Sequence, residues 1–535
     1  MAETIEITNF SGKLTRKIDG DLNSGFANFT TSFGYDPFSK PGNLTWFEAP
    51  VDISTGITDL IVAAKPRFES GTQYIYALGS TGKLYKIQPN SITSPNVDSV
   101  IGIGSVLAGS SSYNFGGSIE FFGATEKIYI GSDSGVNSIN FDFTADQRIG
   151  GASNYTSNRY RPLKQFIGKL FYGNGNNLGA IDSTGTIVPS VASSGQINPA
   201  LPTSNYVTDL DVAPDGNYLY ITATTIPNEN ITTVSNDRQD AASGEGYLYK
   251  WNAIDQGITA LSSIPSYAVT ALQTYLNNNI FFSNDSFGAS LNDGTNKLLT
   301  LPNNKAPFPN STTVTGNFIS WVAPELVNGT ALSASMYYYG KLDENSENGL
   351  WRVMRYGTTL SSGFIYQTPV NLLTNNKYST VNNAITSIVT LGYGKHYFSV
   401  YDVNSGTNSY KLLRFLITPT GSGTPQLGVY QTQTQLFGKR VSIKQIRVYT
   451  EPTATNNGFQ IDLVGSDGAI ITNGTFNYSY SAGTGDITKL EGSLERINFN
   501  PKMMDVYACA LRITNTGTSN MTIKKIEVDW EPSGK

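Results

Sequence analysis

Residues 74–87 read YIYALGSTGKLYKI, and this stretch decides the fold class. Two short segments rich in aromatic and aliphatic residues flank Gly79-Ser80-Thr81-Gly82, whose small and polar residues favour a tight turn. The pattern is typical of a β-hairpin, and it recurs at intervals of 42 to 61 residues. The positions equivalent to Ile75 are Ile128, Leu170, Leu219, Ile280, Tyr337 and Tyr397. No long helical pattern interrupts them, so the sequence predicts an all-β protein.

A repeat of about 40 to 50 residues that carries four strands is the period of a β-propeller blade, and loop insertions lengthen it at little cost. The spacing predicts a β-propeller of about seven blades between Trp46 and Thr418. Residues 208–221, TDLDVAPDGNYLYI, are similar to the strand, Pro-Asp-Gly turn, strand unit that is common in bacterial propellers. An irregular array of β-sandwiches with accidental spacing is the alternative.

A second domain is predicted after residues 419–425, PTGSGTP, whose composition is typical of a linker. In residues 441–449 and 521–529 the apolar alternation shifts by one position after the second apolar residue, as a β-bulge would cause. Matching bulges indicate that these two strands are neighbours. With 462–464 and 508–513 as inner strands, the sequence predicts a jelly-roll-like β-sandwich. The expected division is an N-terminal arm (1–45), a propeller (46–418), a linker (419–430) and a sandwich (431–535).

Composition excludes several classes of function. One histidine, His396, and one cysteine, Cys509, leave no intrachain disulfide, no zinc site built on Cys and His, and no mechanism that needs two imidazoles. Charged residues make up 14% of the chain, against roughly 25% in average proteins, and the net charge is −5. This balance argues against an extended surface that grips nucleic acid. The first 20 residues contain no apolar segment, so neither a Sec-type signal nor a membrane span is expected.

Individual motifs point to structure more than to chemistry. Cys509 alternates with Leu511 and is expected to be a buried thiol, while His396 is expected to pack at the start of a strand. The acidic loop that begins at Asp19 departs from the calcium-loop pattern at its glycine and at Thr30. Glycine-rich stretches at 173–179 and 436–440 fail the phosphate-loop patterns. We therefore expect no catalytic, cofactor-binding or metal-binding residues.

Two clusters of residues each allow two interpretations. The basic residues of the second domain are expected to form a solvated strand face, with binding of phosphate or of an acidic partner as the alternative. They are Lys439, Arg440, Lys444 and Arg447. The aromatic run Tyr337-Tyr338-Tyr339 is expected to pack between blades, with stacking on sugars as the alternative.

The N-terminal segment carries a resemblance to a known family. Residues 9–14 (NFSGKL), 25–29 (GFANF) and 40–46 (KPGNLTW), together with Asp21-Leu22, resemble the opening of tail-nozzle or tail-hub proteins of tailed bacteriophages. The specific match covers about 50 residues. In that family a β-propeller-like body is arranged around the axis through which the genome leaves the particle.

The resemblance implies a structural virion protein, not an enzyme, that forms a ring around the genome-ejection channel. Its expected partners are copies of itself, other tail proteins (portal, adaptor or fibre) and passing DNA that is bound without sequence specificity. Its expected location is the virion tail, after assembly in the host cytoplasm, and no cofactor is expected. One alternative is a glycan- or receptor-binding tail protein or adhesin that uses Trp251, Trp321 and Trp351. The other is a glycosidase or depolymerase on the same fold.

Overall fold

The structure is a computed structural model in which the regular secondary structure consists almost wholly of β-strands. Among the described residues the helical segment is a single 3-10 turn, Ala152–Asn154. The described residues are 3–10, 29–36, 42–47, 50–53, 56–59, 61–79, 81–89, 99–103, 118–132, 134–155, 161–188, 200–213, 215–225, 245–254, 258–264, 269–275, 279–284, 288–292, 298–300, 325–326, 334–343, 346–355, 364–371, 384–391, 395–404, 407–416, 428–451, 458–479, 487–489, 495–501, 503–517 and 521–533.

Five short strands open the chain, and they later pair with strands far along the sequence. They are β1 (Glu3–Ile7), β2 (Phe29–Phe33), β3 (Tyr35–Asp36), β4 (Leu44–Trp46) and β5 (Val51–Asp52).

Five antiparallel four-stranded sheets follow in strict chain order, each a simple up-and-down meander. Sheet 1 contains β6 (Ile61–Glu69), β7 (Thr72–Gly79), β8 (Leu84–Gln88) and β9 (Ser99–Ile103). Sheet 2 contains β10 (Ser118–Phe122), β11 (Lys127–Gly131), β12 (Val136–Ile139) and β13 (Gln147–Arg148). Sheet 3 contains β14 (Leu163–Phe166), β15 (Lys169–Asn174), β16 (Asn177–Ile181) and β17 (Ile187–Val188). Sheet 4 contains β18 (Tyr206–Val212), β19 (Leu219–Thr224), β20 (Gly246–Trp251) and β21 (Thr259–Ile264). Sheet 5 contains β22 (Val269–Tyr275), β23 (Asn279–Asn284), β24 (Gly288–Asn292) and β25 (Leu298–Thr300).

Two further groups of strands complete this part of the chain. The first is another meander of β26 (Glu325–Leu326), β27 (Ala334–Asp343), β28 (Ser346–Arg355) and β29 (Phe364–Asn371). The second, called the closing sheet, contains β30 (Ala384–Leu391), β31 (Lys395–Asn404) and β32 (Thr407–Leu416), with β5 as its fourth strand. All seven positions that mark the sequence repeat lie in the second strand of one of these units, which confirms the repeat.

The sheets are arranged as in a β-propeller. The first strands of consecutive sheets 1 to 5 contact one another, and β30 of the closing sheet contacts β6 of sheet 1. Leu412 of the closing sheet is 3% exposed and belongs to the same apolar cluster as Ile61, Ile75 and Ile87 of sheet 1. The last sheet therefore packs on the first, and the N-terminal strand β5 completes it.

The recurring glycine of the hairpin motif has a steric cause. Gly79, Gly131 and Gly173 each lie at or near the end of the second strand of a sheet. A Cβ atom on Gly79 would lie 2.1 Å from Oδ2 of Asp59, and one on Gly131 would lie 2.0 Å from the carbonyl oxygen of Arg161. Only glycine allows these segments to approach so closely.

The C-terminal strands form one curled sheet together with the N-terminal strands. They are β33 (Val429–Thr432), β34 (Gln435–Thr450), β35 (Gly458–Val464), β36 (Ile470–Ser479), β37 (Ile487–Lys489), β38 (Glu495–Phe499), β39 (Met503–Asn515) and β40 (Thr522–Pro532). β34 and β39 pair with each other over part of their length, and then β34 continues with β38 and β40 while β39 continues with β33 and β35. The sheet thereby folds over its own core.

The predicted neighbours within this second domain are confirmed. β34 pairs antiparallel with β40, and the register shifts at Lys444 in one strand and at Lys524 in the other. These are the positions at which the apolar alternation shifts, so each bulge returns the apolar side chains to the core. The inner strands pair as expected, with Leu463 opposite Leu511.

The N-terminal segment, expected from the sequence as an entry segment or arm, pairs with strands of the C-terminal part of the chain. β1 and β4 pair with β40, and β2 pairs with β33. Their apolar side chains lie in the core of the curled sheet; these are Ile7, Phe10, Phe29, Tyr35, Leu44 and Trp46. Burial of these side chains among those of the C-terminal strands adds apolar area to one shared core.

Candidate functional site

In sheets 1 to 4, the described turns that join first to second strands or third to fourth strands lie at one end of the sheets, here called the hairpin end. Strands alternate in direction, so these turns share one end of each sheet. Contacts between sheets keep the ends aligned. Nη2 of Arg67 in β6 lies 2.9 Å from Oε2 of Glu126 in the β10–β11 turn, and the amide of Ala124 donates to the carbonyl oxygen of Ser183 in the β16–β17 turn at 2.8 Å.

Three large apolar side chains project from the hairpin end. Phe68, next to the β6–β7 turn, is 68% exposed; Ile167, in the β14–β15 turn, is 60% exposed; and Ile254, after β20, is 74% exposed. Among the side chains of sheets 1 to 4 whose burial the structure describes, these are the most exposed large apolar residues. Exposed apolar side chains at one end of a molecule are candidates for an interaction surface.

One of these side chains stands on a strained turn. Ile167-Gly168 is a two-residue hairpin turn with φ angles of 42° and 68°, and Ser70-Gly71 has the same form with 46° and 82°. Such turns favour Asn or Asp followed by Gly, because both residues need positive φ. A β-branched residue in this region costs on the order of 1 to 2 kcal/mol. The strained backbone at Ile167 therefore destabilises the folded state, and an exposed isoleucine brings no gain in solubility that would offset this effect.

The turns between third and fourth strands are held by side-chain hydrogen bonds. Oδ1 of Asp142 accepts from the amide and hydroxyl of Thr144, and Oδ1 of Asp182 accepts from the amide and hydroxyl of Thr184. These hydrogen bonds, led by the threonine hydroxyls, lower the pKa of both carboxyl groups. Asn252 caps the turn before Ile254 in the same way, by accepting from the Ile254 amide at 3.0 Å. Of the three exposed residues, Ile254 therefore stands on a turn that a side-chain hydrogen bond holds.

A cluster of cations and rings lies beneath Phe68. The guanidinium of Arg67 lies 3.5 Å from the ring centroid of Phe141, and its Nε is 3.2 Å from Oε1 of Glu69. Oε2 of Glu69 also accepts from Nζ of Lys86 at 2.6 Å. Burial by itself would raise the pKa of Glu69, but hydrogen bonds from Lys86 and Tyr76 outweigh burial and lower it. This network joins sheet 1 to sheet 2 and fixes the base of the hairpin end.

The first strands carry alternating charges across the sheets. Nζ of Lys65 in β6 pairs with Glu120 in β10, and Nζ of Lys164 in β14 lies 2.5 Å from Oδ1 of Asp211 in β18. Burial by itself would lower the pKa of Lys164, but the charges of Asp211 and Glu120 outweigh burial and raise it. Opposite charges on successive strands neutralise one another, so this row is suited to holding sheets together.

The structure places several of the residues singled out from the sequence. Cys509 is 1% exposed, and burial raises the pKa of its thiol to about 12, which confirms a buried structural thiol. His396 is the second residue of β31, as expected for the start of a strand, and Tyr337-Tyr338-Tyr339 lies in β27. Trp351 lies in β28, Trp321 lies outside the described residues, and so does the acidic loop from Asp19 up to residue 28.

One residue of the glycan-binding alternative needs correction. Trp251 is 2% exposed, and its ring packs edge-on against Phe171 of sheet 3 at 5.4 Å between centroids. The third strand of sheet 4 turns this side chain into the interface with sheet 3, where its apolar area is buried. Trp251 is part of the core and does not face a ligand.

The basic cluster of the second domain is largely neutralised by β40. Arg447 forms two hydrogen bonds with Asp529 and one with Glu527, and Lys444 lies 2.5 Å from Glu531. Nζ of Lys439 lies 5.2 Å from the ring centroid of Trp530. Lys444 and Arg447 thus form a cross-strand ion-pair ladder with β40.

Sequence reasoning did not find the hairpin-end residues. The signal was present as Ile-Gly between two strand segments, at a position where Asn-Gly or Asp-Gly is expected. Among the described residues no group of three or more His, Cys, Asp and Glu side chains is placed to hold a metal ion. Within the same ranges no helix has the length and apolarity to cross a membrane.

Comparison with known proteins gives a likeness of fold. No protein-family model matches the sequence, and no curated protein matches it. Among solved structures, the chain is similar to the WD40 β-propeller domain of Doa1, at 10% identity and a TM-score of 0.39, over 70% of this chain and 97% of that one. It is also similar to the structure of YCF48 bound to D1 peptide (9% identity, TM-score 0.38, 69% and 97% covered) and to the Dos1 propeller (11%, 0.36, 65% and 76%).

Proposed function

We propose that this protein is a structural component of an assembly, and specifically a tail nozzle or hub protein in the virion of a tailed bacteriophage. In this proposal several copies form a ring around the genome-ejection channel, in contact with other tail proteins such as a portal, adaptor or fibre protein. DNA passes without sequence-specific binding. The protein acts as rigid wall and not as an enzyme, and it is assembled in the host cytoplasm.

The observation that carries the proposal is the hairpin end. Phe68, Ile167 and Ile254 are exposed at this end, and Ile167 stands on a strained turn. Strain that is retained at a surface is a pointer to function. Exposed apolar side chains fit a surface that is covered in an assembly, and the N-terminal resemblance to tail-nozzle proteins suggests which assembly.

The proposal also covers the number of propeller blades and the form of the curled sheet. β26–β29 pair consecutively as the strands of the other sheets do, although β29 also pairs with β2 of the curled sheet, and β27 contacts both β24 of sheet 5 and β30 of the closing sheet. We infer that it is a blade, which gives a propeller of seven blades. The curled sheet is then a jelly-roll-like sandwich attached to that blade through the pairing of Phe33 with Thr368.

Immunogold labelling tests the proposal. Antibodies against the purified chain are applied to phage particles and cell debris from the culture that carries the gene, and electron microscopy locates the gold. Gold confined to the tail end of particles is the expected result, with labelling abolished by an excess of the purified protein. Gold on cell surfaces, or particles without label, would contradict the virion proposal and favour an adhesin or an enzyme.

A further inference from the structure

The N-terminal segment Glu3–Asp52 supplies strands to two parts of the molecule. Its strands β1, β2 and β4 belong to the curled sheet, whereas β5 completes the closing sheet of the propeller. β2 also touches the propeller directly, because Phe33 pairs in parallel with Thr368 of β29. One short segment of chain therefore joins the two parts.

Its attachment to the curled sheet is extensive. All five residues of β1 pair with β40, from Glu3 opposite Trp530 to Ile7 opposite Ile526. Polar contacts reinforce this pairing: Lys525 lies 2.9 Å from Glu6, and Thr4 donates to Asp529 at 2.7 Å. Six apolar side chains of the segment lie in the core, each at most 1% exposed. Burying that much apolar surface makes this attachment strong.

Its attachment to the closing sheet is slight. β5 contributes two residue pairs, Val51 with Arg414 and Asp52 with Leu413, and the Ile53 amide donates to the carbonyl oxygen of Leu412 at 2.8 Å. Val51 is 47% exposed, so it contributes little apolar burial. Pairing on this scale is too weak to close a ring by itself.

A short connection makes the weak contact effective. Trp46, which is 1% exposed in the core of the curled sheet, precedes Val51 by five residues, and five extended residues span at most about 17 Å. The anchored segment therefore holds β5 at a high local concentration beside β32. If the curled sheet loosens, β5 loses that anchor.

We propose that the N-terminal strands β1, β2, β4 and β5 act as a latch that makes closure of the propeller conditional on an intact curled sheet. The strands that receive the latch, β32 and β40, come late in the chain, so the ring closes only when the last strand has folded. The two parts then open and close as one cooperative unit. This inference goes beyond the proposed function and does not depend on it.

Hydrogen exchange of the full-length chain, measured by mass spectrometry, tests the latch. The variant Ile526→Ala removes a fully buried side chain of β40 that lies opposite Ile7. Such truncations accelerate exchange through unfolding by ~30-fold or more. The latch predicts that the amide of Ile53 and those of β32 accelerate by the same factor as the core of the curled sheet, although they lie in the propeller.

Ile181→Ala is the matched control, because Ile181 is equally buried but lies in sheet 3, away from the latch. We expect this variant to accelerate hydrogen exchange in sheet 3. Any change in the exchange rate of the curled sheet should be matched by the same change at the Ile53 amide. The latch is overturned if Ile526→Ala accelerates exchange in the curled sheet while Ile53 and β32 keep wild-type protection. If Ile526→Ala does not fold, Ile526→Val gives the same comparison with a smaller acceleration.

Discussion

At the scale of single residues, Gly79 shows how the hairpin motif restricts its own sequence. Oδ2 of the buried Asp59 accepts hydrogen bonds from the amide and hydroxyl of Thr81 and lies where a Cβ on Gly79 would be. Gly79→Ala forces the carboxylate to move and weakens both hydrogen bonds. We expect it to lower the free energy of unfolding by about 2 to 4 kcal/mol in urea denaturation.

Gly151→Ala is the control, because its Cβ would meet atoms no closer than 3.7 Å. We expect a change within about 0.5 kcal/mol there. In an Asp59→Ala background the steric conflict is absent, so Gly79→Ala must cost much less than in the wild type. Equal costs in both backgrounds would show that Asp59 is not the obstacle.

Some residues could be interpreted from the sequence and others could not. The burial of Cys509 followed from its alternation with Leu511 on one strand, a local pattern. Trp251 could not be placed, because whether an aromatic side chain of a strand faces solvent or the next sheet depends on packing between sheets. Ile167 was missed because its strain appears only once the length of its turn is known.

At the scale of elements, the alternation of apolar residues in the sequence located strands well where the paired strand has the same alternation. The bulges at Lys444 and Lys524 could be predicted because both strands bury the same face. The pairing of β1 with β40 could not, because it joins segments more than 500 residues apart (Glu6 to Glu527 is 521 positions). The five residues of β1 carry no feature that specifies so distant a partner.

The ladder between β34 and β40 should make the curled sheet sensitive to acid. Burial alone would raise the pKa of Glu527, but hydrogen bonds from Lys525, Arg447 and Tyr449 outweigh burial and lower it from 4.5 to about 2. Because the pKa of Glu527 is lower in the folded chain than in the unfolded chain, the carboxylate stabilises the fold at pH values above the unfolded pKa of about 4.5. That stabilisation is lost as the pH falls from about 4.5 towards 2. We expect Glu527 to contribute on the order of 2 to 3 kcal/mol of unfolding free energy at pH 7.

Urea denaturation at pH 7 and pH 3 measures this contribution. The loss of stability between the two pH values should be smaller in Glu527→Gln than in the wild type. Glu531→Gln is the matched control on the same strand, because Glu531 is 44% exposed and its pair with Lys444 is worth at most about 1 kcal/mol. If both variants lose as much stability as the wild type at pH 3, the acid sensitivity lies elsewhere.

At the scale of the whole molecule, the hairpin end predicts that copies of the chain associate with one another. The isoleucine that would favour this association, Ile167, also lowers the free energy of unfolding. Ile167→Asn relieves the positive-φ strain and removes an apolar side chain that is 60% exposed. We expect the variant to gain about 1 kcal/mol in unfolding free energy. We expect it also to weaken association by about tenfold, because contact with a neighbouring copy would bury part of the isoleucine. Light scattering across a concentration series measures the association.

Ser70→Asn separates the two effects, because Ser70 occupies a turn of the same geometry but carries no apolar side chain. It should change unfolding free energy in the same direction while leaving association at the wild-type level. Phe68→Ser, at the edge of that same turn, should weaken association without relieving strain, since Phe68 is 68% exposed. A wild-type chain that stays monomeric at every concentration, or an Ile167→Asn variant that associates as strongly as the wild type, would show that this end is not a contact between copies. The strain at Ile167 would then need a different partner to explain it.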